Sequence, residues 1–94
     1  MSSPPEIALL GFAPAVVGDR KPGIHGWARY RIGEYEVDGF VVHMNALGVY
    51  RLEFPAHIDR GGRRHPVLRH VDRRRDRELL ARLLAALKRG GWLP

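Results

Sequence analysis

Short stretches of alternating apolar and polar residues mark the first half of the chain, and this period is typical of half-buried strands. Residues 6–12, "EIALLGF", predict a first strand that Pro14 closes. The Gly, Asp and Pro residues within 16–26 predict a loop. From 27 to 37 the alternation is regular, and Gly33 falls where the apolar face changes register. We therefore predict one long strand over 27–37 with a β-bulge at Gly33.

A hairpin and one more strand complete the predicted sheet. Asp38-Gly39 is a dipeptide favoured in two-residue hairpin turns, because both residues tolerate positive φ. Residues 40–45 are expected to return antiparallel to the preceding strand. Residues 49–54 add a further strand, which Pro55 stops. The pattern thus predicts an antiparallel β-meander of about four strands.

The chain ends in a helical pattern. Asp72 is a good N-cap, and after it leucines recur at helical spacing up to Gly90, the residue expected in the left-handed conformation past the helix end. The helix is predicted over 73–89, with its leucine stripe packed on one face of the sheet. The stripe consists of Leu79, Leu80, Leu83, Leu84 and Leu87. The expected fold class is α+β, an antiparallel β-meander followed by a C-terminal α-helix packed on the sheet.

Residues 1–94 are enough for a single domain and too few for two cores. Residues 1–5 are predicted to be a disordered tail, 6–55 the sheet region, 56–71 a basic loop and 72–89 the helix. No apolar run approaches the length of a membrane span, and no basic residue precedes the first apolar stretch, so we expect neither a membrane segment nor a secretory signal. Without cysteine there is no disulfide framework, and a reducing, cytoplasmic location is expected.

The net charge of +6 is unevenly distributed. Residues 1–56 hold five basic against six acidic groups, whereas residues 57–94 hold eleven basic against four acidic groups. A near-neutral half joined to a cationic half favours a polyanionic partner, because the summed positive potential attracts phosphates.

Eight arginines lie within residues 57–77, "HIDRGGRRHPVLRHVDRRRDR". Some flank Gly61-Gly62, and others lie on the first predicted helical turns, where free amide groups also favour phosphate oxygens. Cations at a helix N-terminus oppose the macrodipole, so helix stability does not account for them. A solvated charge run, neutralised by neighbouring acidic residues, is the alternative. We favour a nucleic-acid-binding surface, with these candidate contacts: Arg60, Arg63, Arg64, Arg69, Arg73, Arg74, Arg75 and Arg77.

Residues that could support catalysis are scarce. There is no cysteine, the only serines are Ser2 and Ser3 in the predicted tail, and no glycine-rich phosphate loop is present. His65 and His70 match no familiar metal-site spacing, and His43 is expected to be a hydrogen-bonded structural residue. We predict no enzyme activity, no metal and no cofactor.

Aromatic residues on strands could display nucleic-acid bases, but a helix must cover one face of the sheet. We therefore expect most of the rings to fill the core or an interface, and Trp92 to anchor the chain end by packing. The strand rings are Trp27, Tyr30, Tyr35, Phe40 and Tyr50.

The order of these elements resembles the bacterial SpoVG family, the stage V sporulation or septation regulators. The resemblance covers about residues 25–89 and rests on the order of the elements and on short sequence segments. These are "DGFVVH" (38–43), "FP" (54–55), "HPV" (65–67) and "VDRRRDRELLARLLAAL" (71–87). It implies an antiparallel sheet with a C-terminal helix, a homodimer, and regulation through binding of DNA, in some cases RNA, without catalysis.

The chain departs from the family pattern at His57 and Ile58, where the family has a Lys-Arg pair that contributes to nucleic-acid contact. Positive charge appears instead at Arg60, Arg63 and Arg64 and at the helix start. The first hypothesis is a homodimeric, non-enzymatic regulator that binds nucleic acid, its protomers paired by sheet edges or strand exchange. The alternative is a structural or protein-interaction module whose basic face binds an acidic protein.

Overall fold

A four-stranded antiparallel sheet and one helix make up most of the computed structural model, which describes residues 4–16, 23–68 and 72–93. The sheet strands lie side by side in chain order: β1 (Ile7–Pro14), β2 (Ile24–Ile32), β3 (Tyr35–Met44) and β4 (Tyr50–Glu53). They are followed by β5 (Ala56–Ile58), β6 (Arg64–Pro66) and helix α1 (Arg73–Arg89). The predicted α+β meander with a C-terminal helix packed on it is confirmed.

The turn between β2 and β3 lies at Gly33-Glu34, so the predicted turn at Asp38-Gly39 is wrong. Ile32 and Tyr35 are paired across this turn. Gly33 has φ +61°, which a residue without Cβ adopts without steric conflict. Both dipeptides satisfy the local rules for a turn, but only the earlier one allows strands of nine and ten residues to pair along their whole length.

The prediction of one strand over 27–37 with a β-bulge at Gly33 is wrong, because Gly33 lies in the turn between β2 and β3. A β-bulge lies instead at Asp38 and Gly39. Ala28 pairs with Phe40 and Tyr30 pairs with Val37, so Asp38 and Gly39 together lie opposite one residue, Arg29. Gly39 has φ +89°, and its amide donates to Asp38 Oδ1 over 2.7 Å. The extra residue shifts the side-chain alternation, so that Val37 and Phe40 lie on the same face of the sheet.

The core lies between that face and α1. Tyr30 and Phe40 are fully buried in an edge-to-face contact, with ring centroids 5.2 Å apart. Leu83 and Leu87 are the buried residues of the leucine stripe, and the Tyr30 hydroxyl donates to the Leu83 carbonyl over 2.9 Å. The buried apolar residues are Ala28, Tyr30, Phe40, Val42, Leu52, Phe54, Leu83, Leu87 and Leu93. The predicted packing of the stripe on the sheet is therefore confirmed.

The helix begins and ends at the predicted residues, but its C-terminal cap differs by one position. Asp72 is the N-cap, and its side chain accepts a hydrogen bond from the Arg74 amide over 3.0 Å. Gly90 keeps a right-handed conformation, φ −74°, and its amide still donates to the Ala86 carbonyl. Gly91, with φ +80°, is the residue in the left-handed conformation, so the assignment to Gly90 is wrong.

Part of the predicted basic loop is a hairpin. β5 and β6 pair antiparallel, with Ala56 opposite Pro66 and Ile58 opposite Arg64. The Val67 amide donates to the Pro55 carbonyl over 2.9 Å, which continues the pairing. The prediction of a loop through 56–71 is therefore wrong for both strand segments. A strand of three residues is too short to show the alternation of apolar and polar residues by which strands are predicted.

Two other boundaries differ from the predictions. The loop expected over 16–26 ends before Ile24, where β2 begins, while residues 17–22 lie outside the described residues. In the expected tail the Pro5 carbonyl accepts a hydrogen bond from Arg82 Nη2 over 2.8 Å, while residues 1–3 lie outside the described residues. Pro5, the last residue of the expected tail, is thus hydrogen-bonded to α1, one residue before the predicted start of the sheet region.

Candidate nucleic-acid interface

The tip of the β5–β6 hairpin is held by one carboxylate. Asp59 Oδ1 accepts from the amides of Gly61 and Arg63, over 2.9 and 3.0 Å. Asp59 Oδ2 lies 2.8 Å from His65 Nε2. The hydrogen bond from His65 lowers the pKa of Asp59, and the amide donors lower it further. The negative charge of Asp59 is thus engaged by the turn itself.

Arg60 and Arg63 project from this tip. Both residues are exposed, and neither has an acidic partner within ion-pair distance in the part of the chain that the structure describes. A short hairpin closed by its own carboxylate holds the two guanidinium groups in the same region of the surface. This arrangement suits contact with an extended polyanion, because two adjacent phosphates can be met from one turn.

Arg64 differs from its neighbours because it is anchored. Its Nη1 lies 2.8 Å from Glu53 Oε1, and Glu53 Oε2 lies 2.6 Å from His43 Nε2. This chain of contacts joins β3, β4 and β6. The predicted hydrogen-bonded role of His43 is confirmed, and Glu53 is a half-buried link between the sheet and the hairpin.

The arginines at the helix start are exposed, and two of them have carboxylate neighbours. Arg73 lies 3.7 Å from Asp76, and Arg74 lies 3.5 Å from Asp72. The Arg74–Asp72 pair is exposed, and a pair of this kind contributes about 0–1 kcal/mol, so a phosphate group can displace it at little cost. Arg75 and Arg77 have no acidic partner within ion-pair distance among the described residues.

A cleft of about 500 Å³ lies between β4, the hairpin and α1. Arg64 lines it from the hairpin and Arg77 lines it from the helix, so the structure brings together the two arginine groups that lie apart in sequence. Arg51 of β4, which is not among the arginines predicted from the sequence, also lines the cleft. An arginine at an alternating strand position has the same pattern as any solvent-facing residue, so no sequence signal distinguishes it.

Arg69 and His70 lie outside the described residues, so their predicted roles stay predictions. His65 has its partner in Asp59, as described above. Over residues 4–16, 23–68 and 72–93, no group of three or more His, Cys, Asp or Glu residues is arranged to hold a metal ion.

The strand aromatics differ in burial, with Trp27 and Tyr50 partly buried. Tyr30 and Phe40 are fully buried, as expected for core residues, whereas Tyr35 is 76% exposed and lies outside the core. Tyr35 follows the Gly33-Glu34 turn and lies at the end of the β2–β3 hairpin. Trp92 packs on Phe12 with ring centroids 5.6 Å apart, as expected of a packing anchor, but it remains 48% exposed.

Comparisons of the chain with protein-family models, curated proteins and solved structures find no match. The resemblance to the SpoVG family therefore stays a prediction. Within the described residues no helix is both long and apolar enough to cross a membrane.

Proposed function

We propose that this protein is a non-enzymatic nucleic-acid-binding regulator that contacts the phosphate backbone through the arginines of the β5–β6 hairpin and the start of α1. The observation that carries the proposal is the cleft with Arg64 on one wall and Arg77 on the other. It brings the two arginine groups to one region of the molecule. Phosphate contacts give affinity with modest sequence preference, since bases are read by other groups.

The electrostatics of the region support a polyanionic ligand. Arg60 and Arg63 at the hairpin tip and Arg75 and Arg77 at the helix start are exposed and have no acidic partner among the described residues. The segment from residue 57 onward holds eleven basic against four acidic groups. A homodimer would double the number of phosphate contacts on one ligand and would thereby raise affinity. In a cytoplasmic setting such a protein would act by occupying DNA or RNA.

Fluorescence-anisotropy titration of labelled DNA and RNA at several salt concentrations tests the proposal. Two variants remove the proposed contacts, Arg60/Arg63→Ala at the hairpin and Arg73/Arg74/Arg75→Ala at the helix start. Arg64 is left in place because its loss would also break the link to Glu53. Each lost phosphate contact should reduce the slope of log K against log salt by about 0.9 for duplex DNA.

A matched control removes three cations elsewhere, at Arg31, Lys88 and Arg89, all exposed. It lowers the net charge as much as the helix-start variant does. We expect the control to weaken binding far less and to keep the salt slope of the wild-type protein. Equal weakening by the control would show a response to net charge alone and would overturn the proposed interface, as would unchanged binding by both arginine variants. Light scattering tests the homodimer independently, and a monomer at working concentration would refute it.

The same titration separates the proposal from its alternative, a module that binds an acidic protein. Such a module should bind DNA no better than a generic cation of equal charge, and its DNA binding should vanish at moderate salt.

A further inference from the structure

The cleft beside β4 runs along an unpaired edge of the sheet. β4 pairs with β3 on one side, and no described strand pairs with its other side. The cleft is lined by every residue from 50 to 54. Successive side chains of a strand point to opposite faces, so a cleft that touches five consecutive residues faces the strand's edge, where backbone N–H and C=O groups lie.

The remaining walls of the cleft are mostly apolar. Leu80, Ala81 and Leu84 of α1 form one wall, while Ala56 and Pro66 of the hairpin form the other. An open strand edge between two apolar walls can accept an added strand, because the backbone supplies hydrogen bonds and the walls receive alternate side chains.

The rim of the cleft is cationic. Arg51, Arg64 and Arg77 line it against a single acidic residue, Glu53. Glu53 is already engaged by Arg64 and His43, and neither Arg51 nor Arg77 has an acidic partner within ion-pair distance among the described residues. A second copy of the chain would bring the same positive charge to this edge, so charge complementarity favours an acidic occupant over self-pairing.

We propose that the cleft beside β4 binds an extended acidic peptide segment of another protein, which adds as a strand to the free edge of β4. Apolar side chains of the peptide pack against Leu80, Ala81 and Leu84 of α1. The carboxylates that alternate with them lie on the opposite face of the added strand, the face on which Arg51 lies. Residues 50–54 offer a site about 17 Å long, enough for about five residues of an extended chain. The peptide site shares Arg64 and Arg77 with the arginine surface proposed above, whereas its backbone pairing and its contact with Arg51 are separate from phosphate binding by the hairpin tip and the start of α1.

A fluorescein-labelled peptide of alternating Glu and Val provides the probe, and a Lys-Val peptide of the same length is its control. We expect the acidic peptide to bind the full chain and the basic peptide not to bind. On binding, the backbone amides of Arg51, Leu52 and Glu53 should shift in ¹H–¹⁵N spectra, and those facing the peptide should exchange more slowly with solvent. Equal binding of both peptides, or shifts confined to other strands, would overturn the proposal.

Two variants test the walls and the rim of the cleft. Ala81 is an exposed helical residue, and Ala81→Trp fills the cleft without disturbing the buried core. Ala46→Trp, on the exposed β3–β4 turn, is the matched control. We expect peptide binding to disappear in Ala81→Trp and to remain in Ala46→Trp, while Arg51→Glu weakens binding by about tenfold or more. Undiminished binding by folded Ala81→Trp or Arg51→Glu would refute the site.

Further measurements separate this inference from the proposed function and from self-association. Arg73/Arg74/Arg75→Ala should keep peptide affinity, and labelled DNA should not displace the peptide at moderate salt. Displacement by DNA would assign the cleft to the nucleic-acid surface instead. If light scattering showed a dimer that Ala81→Trp converts to monomer, a second copy would be the occupant and the peptide proposal would fail.

Discussion

Tyr30→Phe removes one buried hydrogen bond and leaves the ring in place. The hydroxyl donates to the Leu83 carbonyl over 2.9 Å, and the ring keeps its edge-to-face contact with Phe40. An intramolecular hydrogen bond contributes about 0.5–1.5 kcal/mol net, so we expect the free energy of unfolding to fall by about 1 kcal/mol at neutral pH. For a domain of this size the midpoint temperature should drop by about 4–8 °C.

The same substitution should change the response to alkaline pH. Burial raises the pKa of Tyr30 well above its ordinary value, because the phenolate would lose its hydration. Between the unfolded pKa, about 10, and the higher folded pKa, the unfolded chain releases a proton that the folded chain retains. The contribution of Tyr30 to the free energy of unfolding is therefore complete below about pH 10. Above that pH it is lost, by up to about 1.4 kcal/mol per pH unit.

Tyr30→Phe has no such proton, so its stability relative to wild type should improve as the pH rises. With a deficit of about 1 kcal/mol at neutral pH, the two unfolding free energies should cross between about pH 10 and 11. Urea denaturation followed by circular dichroism, from about pH 7 to 11, measures both curves. Tyr35→Phe is the control, since Tyr35 is 76% exposed and should match wild type throughout. Parallel curves for Tyr30→Phe and wild type would refute the reasoning.

Three further substitutions have defined outcomes. Gly26→Ala places a Cβ 2.6 Å from the Phe12 ring, so thermal denaturation should show a loss of about 1–3 kcal/mol through overpacking, and an unchanged midpoint would contradict this. Asp59→Asn weakens the carboxylate contact with His65 in the hairpin turn, so hydrogen exchange there should become faster while exchange in α1 stays unchanged. The pKa of Asp59 is lowered in the folded protein, so its carboxylate contributes to the stability of the hairpin turn above the unfolded pKa, about 3.9. In the wild-type protein, hydrogen exchange in the turn should therefore become faster as the pH falls through the lower, folded pKa. Asp72→Ala removes the N-cap and should reduce the free energy of unfolding by about 1 kcal/mol in urea titrations, whereas Asp72→Asn should retain most of it.

The helix could be predicted closely because its signals are local and redundant. Asp72 supplies a cap, and the leucine stripe has one period over the whole element. The β2–β3 turn could not be placed from sequence, since Gly33-Glu34 and Asp38-Gly39 both satisfy the rules for a turn. Pairing along the full length of two strands decides between them, and that is a property of the whole sheet.

The candidate site was only partly predictable for a related reason. The arginine segment stands out in the sequence, but the cleft also depends on β4, and Arg51 looks like any charged strand residue there. The anchoring of Arg64 by Glu53 joins positions from two strands whose relation the sequence pattern does not specify. The position of the positive charge could therefore be predicted from the sequence. Only the folded structure shows which arginines are held by a carboxylate and which remain available to a ligand.

The arrangement of a sheet first and a covering helix later has a consequence during synthesis of the chain. The last strand of the sheet ends at Glu53, but the helix that covers Tyr30 and Phe40 is complete only at Arg89. At about 5–20 residues per second the ribosome needs roughly 2–7 s for this interval. Throughout it the inner face of the sheet has no partner within the nascent chain, which makes this stage the one at which chaperones would engage the protein and aggregation would compete with folding.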